Sequence, residues 1–182
     1  VNGVGEKEDG FYILSTLASA VYKPKDDAWT RLPLHSDQGG DASLRYSGAT
    51  AVIGNNIYVF GGIAKAGFSD EVDIFDTTKR SWSEGVAMTS ARMGMAAAVY
   101  NKKIYLFGGE LGGIYLDVVE EFDPATSKWT TKASMIEPWS VMTTGPLPVF
   151  ADGSVVIPHA YRRGSLRTSV VYDAKKDSWR EG

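Results

Sequence analysis

Four times along this chain an aromatic residue stands seven positions before a tryptophan: Tyr22 before Trp29, Phe75 before Trp82, Phe122 before Trp129 and Tyr172 before Trp179. Successive tryptophans lie 53 (82 − 29), 47 (129 − 82) and 50 (179 − 129) residues apart. A period of that size marks a string of supersecondary units. Each is too small to bury its own hydrophobic surface and must stack on its neighbours. The 20 glycines, with turn residues scattered between short apolar runs, leave no helix-length periodicity. The units are therefore built of strands.

A second feature sets the register within each unit. Ile57-Tyr58-Val59-Phe60-Gly61-Gly62 returns as Ile104-Tyr105-Leu106-Phe107-Gly108-Gly109, and Tyr58 precedes Phe75 by the same interval as Tyr105 precedes Phe122. The same interval counted back from Tyr172 makes Val155-Val156-Ile157 the third copy, with Val155 in the place of the tyrosines and Pro158-His159 in place of the glycines. Phe11-Tyr12-Ile13-Leu14, followed by Ser15-Thr16, is a shorter fourth copy. The second unit reads as strands over about 46–53, 56–61, 71–76 and 80–84, a four-stranded antiparallel meander. Ile57 to Phe60 is apolar on both faces, as a strand covered from both sides must be. The first strands, 47–51 and 94–98, carry small side chains suited to a crowded axis. Asn55-Asn56, Asn101-Lys102 and Asp152-Gly153 supply hairpin turns. Asp76, Asp123 and Asp173, each just after the motif aromatic, read as turn formers rather than catalytic carboxylates.

Composition closes off several chemistries. There is no cysteine, which excludes disulfides, thiolate metal sites and cysteine nucleophiles. His35 and His159 are the only histidines and stand in no metal-ligand or triad spacing, so no metal and no cofactor is expected. A net charge of −3 supplies no general field for nucleic acid or anionic membrane, and neither is expected as a partner. No apolar run approaches a membrane span and no Asn-x-Ser/Thr sequon occurs. The compartment stays open, with the cytoplasm slightly favoured. The start at Val1 points to processing or to excision from a longer chain.

The four-residue apolar run, the glycine pair and the aromatic and tryptophan seven apart resemble the kelch repeat, from about Gly10 to Trp179. The resemblance implies an all-β fold, a kelch-type β-propeller of four-stranded antiparallel blades, in units of about 1–34, 44–88, 91–135 and 139–182 within one domain. Kelch propellers usually have six or seven blades. Four units are thus part of a longer ring, a half-ring completed by self-association with a second copy, or a closed four-bladed ring.

In such a meander the loop after strand two and the approach to strand one share a face of the disc. That face collects Arg45, Tyr46, Lys65, Phe68, Arg92, Glu110, Tyr115, Trp139, His159, Tyr161, Arg162, Arg163 and Arg167. It is basic and aromatic, suited to a partner protein or acidic peptide, because arginine binds carboxylates in a bidentate fork and aromatics anchor interfaces. The partner-binding candidates are Arg45, Tyr46, Arg92, Trp139, His159, Tyr161, Arg162, Arg163 and Arg167. In kelch cullin adaptors, arginines at the place matched by Arg45 and Arg92 do this work. The bland alternative is that each arginine pairs within its own blade or is solvated. The glycine-rich stretch 108–113 lacks the lysine of a phosphate loop and reads as a flexible blade loop.

No catalytic constellation is assembled, so a non-enzymatic interaction module is the leading expectation. The competing class is a carbohydrate-active enzyme, since galactose oxidase and sialic acid mutarotases share this propeller. The oxidase's tyrosine–cysteine cofactor has no counterpart here. A mutarotase would draw on groups such as Glu110, Arg92 and His159. Actin association, known among kelch proteins, has no local signal.

Overall fold

The computed structural model describes residues 3–7, 10–14, 19–36, 45–139, 147–157, 161–162, 165–166 and 169–182. Among them every regular element is a strand, and the four units form four antiparallel sheets. Blade 1 is β1 (Gly3–Lys7), β2 (Gly10–Leu14), β3 (Ser19–Lys23) and β4 (Ala28–Leu32), in that order. Blade 2 is β5 (Ala49–Ile53), β6 (Asn56–Ala64), β7 (Gly67–Asp76) and β8 (Ser81–Glu84). Blade 3 consists of β9 (Ala96–Tyr100), β10 (Lys103–Phe107), β13 (Val119–Asp123) and β14 (Lys128–Thr131). A small hairpin, β11 (Glu110–Leu111) and β12 (Ile114–Tyr115), rises from it. Blade 4 comprises β15 (Ser154–Ile157), β18 (Val170–Asp173) and β19 (Ser178–Glu181), with the hairpin β16 (Tyr161–Arg162) and β17 (Ser165–Leu166). A bridge from Val149 to Val155 stands where its first strand belongs.

The doubly apolar second strands have the cover they need. Tyr58 and Phe60 of blade 2 pack with Ile104, Leu106 and Phe122 of blade 3, while Ile57, Val59 and Phe75 pack with Tyr12 and Leu14 of blade 1. Blade 3 repeats this, sending Tyr105 and Phe107 against Val155, Ile157 and Tyr172 of blade 4. Among the described residues, three cores therefore lie between four blades, one per junction. At about 25 cal/mol per Å² of apolar surface removed from water, this stacking is the main stabilising contribution of a repeat array.

The motif tryptophans have a second role besides packing. The indole Nε1 of Trp82 donates to Pro33 O (3.0 Å), Trp129 to Val86 O (3.0 Å) and Trp179 to Ala133 O (2.9 Å). Each acceptor is the fourth residue after the preceding blade's own tryptophan. One indole per junction thus binds a neighbouring blade's backbone, and the motif aromatic holds that indole at a ring distance of 4.8–5.0 Å. The glycine pair is explained by the same junctions. Gly61 and Gly108 have φ of 54° and 61°, and a Cβ on them would lie 2.6 Å from Arg92 O and 2.5 Å from Trp139 O, both backbone atoms of the next blade's approach segment.

Three details differ from the expectation. Val155 pairs with the motif aromatic Tyr172 as Ile57 and Ile104 pair with theirs, so it occupies the place of Ile57 and not that of Tyr58. A one-residue slip exchanges the two faces of a strand, and burial of Val155 and Ile157 against blade 3 decides the register. The first hairpin of blade 2 turns on Gly54-Asn55, with Gly54 at φ 58°, leaving Asn56 as the first residue of β6. The stretch 108–113 is not a loose loop, because its distal half forms the hairpin β11–β12, turning on Gly112 and Gly113 at φ 61° and 84°. The aspartates after the motif aromatics behave as read: Asp76, Asp123 and Asp173 each accept backbone N–H groups of the following turn.

Candidate docking face

Tyr46 and Ile63 exchange backbone hydrogen bonds of 2.9 Å, and one repeat further on Met93 and Glu110 exchange bonds of 3.0 and 2.8 Å. The approach to each first strand therefore lies beside the segment leaving the second strand. Blades are joined at the same level, since Gly62 N–H donates to Arg92 O (2.9 Å) and Gly109 N–H to Trp139 O (2.6 Å). A continuous hydrogen-bonded layer runs across blades 2 and 3 to the approach of blade 4. The hairpins stand on this layer: the ends of β6 and β7 in blade 2, β11–β12 in blade 3 and β16–β17 in blade 4.

Arg45, Arg92 and Trp139 occupy one repeat position in this layer, and what happens to each side chain is set by the facing strand. Arg45 is 6% exposed and reaches Asp73, with Glu71 Oε2 and Ser69 Oγ at 3.0 and 3.1 Å. Arg92 is fully buried, with Nη2 2.5 Å from Glu120 Oε2 and Nη1 2.7 Å from Ser90 Oγ. The other Glu120 oxygen accepts the Thr89 hydroxyl. Asp73 and Glu120 stand at the same repeat position, each at the same interval after its arginine. In blade 4 the corresponding residues are Trp139 and Val170, which belong to one apolar cluster. Acid and arginine thus occur together and disappear together. Both guanidinium groups are held by carboxylates of their own blade.

The layer instead exposes apolar surface. Tyr46 is 53% exposed and Ile114, on the blade 3 hairpin, 68%, with Leu111 and Tyr115 also exposed beside it. Glu110 stabilises that hairpin, its Oε1 accepting the Gly113 N–H at 3.2 Å. Lys65 is exposed at the tip of the blade 2 hairpin and Phe68 is half-buried. Sequence reasoning passed over Leu111 and Ile114, although Gly-Gly between two aliphatic residues is a hairpin signature.

A profile of the KLHDC2/KLHL20/DRC7 Kelch-repeats domain matches residues 5–181. The chain belongs to the kelch-repeat family. No curated protein matches the sequence. Among solved structures the kelch domain is similar to YjhT, with a TM-score of 0.74 and 21% identity over 99% of this chain and 64% of that one. The likeness shows a kelch-type propeller fold, and the chain spans just under two thirds of YjhT's length.

Of the remaining candidates in the kelch domain, Trp139 is buried in the junction between blades 3 and 4, where its carbonyl receives Gly109. Tyr161 and Arg162 lie on β16, whose backbone alone is described, and His159, Arg163 and Arg167 lie outside the described residues. His35 packs edge-on against Trp82 at 5.4 Å with Nε2 3.6 Å from Asp73 Oδ1. It borders a cleft of about 210 Å³ lined also by Glu71, Val72, Asp73 and Glu84. Among the described residues no cluster of three His, Asp or Glu side chains is arranged to hold a metal, and no helix is long and apolar enough to cross a membrane.

The junction between blades 3 and 4 also carries charge. Burial pushes the Glu121 carboxyl up, but hydrogen bonds from Lys103 (2.5 Å) and Tyr105 hold it below the ordinary glutamate range. Asp177 is likewise lowered against its burial, by Tyr172 Oη (2.6 Å) and the Ala133 N–H (2.8 Å). Lys132 stands 3.8 Å from Glu121 and 3.6 Å from Asp177, bridging the two.

Proposed function

We propose that this kelch domain is a non-enzymatic docking module that seats a partner protein on the layer carrying Tyr46 and the blade hairpins. The observation that carries the reading is the exposed apolar group Leu111, Ile114 and Tyr115, lifted off blade 3 on a hairpin with a Gly-Gly turn. Aromatic and large aliphatic side chains dominate binding energy when a partner desolvates them. Membership of a kelch-repeat family, whose domains generally mediate protein interactions, points the same way. The arginines that would favour an acidic partner are Arg162, Arg163 and Arg167, because Arg45 and Arg92 are engaged by Asp73 and Glu120. Arg45 and Arg92 serve the site by fixing the loops around it.

The test compares capture of partner proteins by the wild type, by Ile114→Asp/Tyr115→Asp and by Arg162→Glu/Arg163→Glu, each shown to be folded. A specific partner should lose at least about 100-fold in affinity with the first variant, as expected for two central anchors. Equal capture by both variants and wild type would remove this face from consideration. The sugar-enzyme reading has a separate readout. Arg92 is sealed in its blade and Glu110 holds its own turn, so anomeric exchange of sialic acid followed by NMR should show no acceleration.

A further inference from the structure

The blade 3 hairpin carries different chemistry on its two faces. Its register pairs Glu110 with Tyr115 and Leu111 with Ile114. Residues directly opposite in an antiparallel pair share a face, and faces alternate along each strand. Leu111 and Ile114 therefore lie on one side of the hairpin, and Glu110 and Tyr115 on the other. The chain stays extended past β12, where Leu116 N–H donates to Gly109 O (2.9 Å) and Leu116 bridges to Trp139. The half-buried Leu116 thus continues the aliphatic side, and the exposed Asp117 follows Tyr115 on the polar side.

An aromatic ring that is 49% exposed thus stands between two carboxylates. Among the described residues no lysine or arginine forms an ion pair with either of them, and Arg45 and Arg92 of the same layer are taken by Asp73 and Glu120. The repeat does not require this arrangement. In blade 2 the corresponding pair is Ile63 and Phe68, apolar and half-buried. Asp70 there matches Asp117, the backbone oxygen of each accepting the N–H of a buried methionine, Met88 or Met135, at 2.8 Å. What blade 3 adds is a carboxylate in place of Ile63 and an exposed tyrosine in place of Phe68. Glu110 is held in position, since its Oε1 accepts the Gly113 N–H.

We infer that a basic, apolar partner segment straddles this hairpin, with a lysine or arginine on the Tyr115 side and a large apolar side chain on the Leu111 and Ile114 side. The inference rests on the docking function proposed for this layer and adds the chemistry of the partner. The cation lies against the Tyr115 ring, whose π face attracts positive charge, with Glu110 and Asp117 to either side. The segment crosses at the Gly112-Gly113 turn, where even an added Cβ would meet nothing within 4 Å. The carboxylates select against other occupants. An acidic segment would meet two charges of its own sign, and a wholly apolar one would strip water from both without pairing them.

The experiment selects a phage-displayed library of random peptides on the full chain and sorts the winners by whether Ile114→Asp abolishes their binding. The peptides that depend on Ile114 should be enriched in lysine or arginine close to a large apolar residue, and depleted of aspartate and glutamate. Fluorescence anisotropy with a synthetic copy of the most enriched peptide then measures affinity. Glu110→Gln/Asp117→Asn should weaken it about tenfold, as expected for two exposed ion pairs. Glutamine keeps the acceptor for Gly113 N–H, so the turn survives the loss of charge. Tyr115→Leu should weaken it about threefold. A copy of the peptide with its basic residues changed to glutamine should not distinguish the wild type from Glu110→Gln/Asp117→Asn. Peptides that depend on Ile114 without an excess of basic residues, or equal affinity of the basic peptide for wild type and Glu110→Gln/Asp117→Asn, overturn the inference and leave the docking function standing. If no selected peptide depends on Ile114, the hairpin is not an anchor and both fall. Binding of the basic peptide that becomes about tenfold tighter in Arg162→Gln/Arg163→Gln would put the chain's own arginines on the two carboxylates, and would equally overturn the inference.

Discussion

Blades 3 and 4 solve the same structural problem with opposite chemistry. Where the approach to a first strand passes the third strand, blade 3 buries Arg92 against Glu120 and blade 4 buries Trp139 beside Val170. The backbone geometry is shared, since Gly62 donates to Arg92 O as Gly109 donates to Trp139 O. The position therefore asks for a large side chain that fills the space, with any charge it carries paired. Charge is one way of meeting that demand. The comparison separates a residue type associated with ligand binding from the role it plays here, which is to brace the layer on which the blade hairpins stand.

The most severe way to break this comparison is to strand one partner. Glu120→Ala leaves a fully buried guanidinium without its carboxylate, and Arg92 Nε already has no hydrogen-bond partner among the described residues. Loss of about 3–5 kcal/mol is expected in denaturant unfolding. Replacing both, Arg92→Met with Glu120→Val, imitates blade 4 and should recover most of that loss, because a buried ion pair is often no better than a packed apolar pair. A double variant as unstable as Glu120→Ala would show that blade 3 requires the charge, and that the two blades are not equivalent.

A smaller effect tests the glycines that bring the approach segments close. Gly108→Ala places a Cβ against Trp139 O and keeps a left-handed φ of 61°, so roughly 2 kcal/mol or more should be lost. Gly112 has the same φ, yet a Cβ there meets nothing within 4 Å. Gly112→Ala should therefore lose only about 1 kcal/mol, from backbone strain alone. Thermal melts of the two variants side by side give the difference, and equal losses would mean that contact with the next blade does not restrict Gly108.

Much of this architecture was legible because it repeats. The tryptophan spacing and the Gly-Gly pairs marked the blades, and the structure adds the reason: an indole and a close backbone approach are needed once per junction. The shared face of the loops was legible in outline, since alternating strands do bring Tyr46 and Glu110 into one layer. The fate of its arginines was harder to read. Arg45 and Arg92 read either as docking residues or as ion pairs within their own blade when the arginines alone are aligned, while Asp73 and Glu120, at one shared interval downstream, carry the signal that favours the ion pair. The register of Val155 was missed because Val155 stands one position nearer to Tyr172 than Ile57 does to Phe75, a difference that only burial resolves. Exposure of Ile114 depends on a hairpin rising clear of its blade, which no local propensity reports.

The smallest effect expected is one of pH, and it sharpens the contrast between junctions. Glu121 is held below the ordinary glutamate range by Lys103 and Tyr105 against the upward push of its burial, and Asp177 by Tyr172 and Ala133. A carboxylate lowered in the folded state adds stability that is fully present above its unfolded pKa, about 4.3 for Glu and 3.9 for Asp. That stability disappears as pH falls through the folded value. The junction of blades 2 and 3 has Ile74 at the place of Glu121 and Ser127 at that of Asp177. Acid should therefore weaken the blade 3–4 junction first. Urea unfolding at neutral pH and near pH 3 should show a loss of stability from this source, reduced at the partly exposed Asp177 by solvent screening. Glu121→Gln should begin less stable at neutral pH and lose less on acidification. An unchanged pH slope in that variant would mean that the bond from Lys103 contributes as much in the unfolded chain as in the folded one, and that the two junctions differ in packing alone.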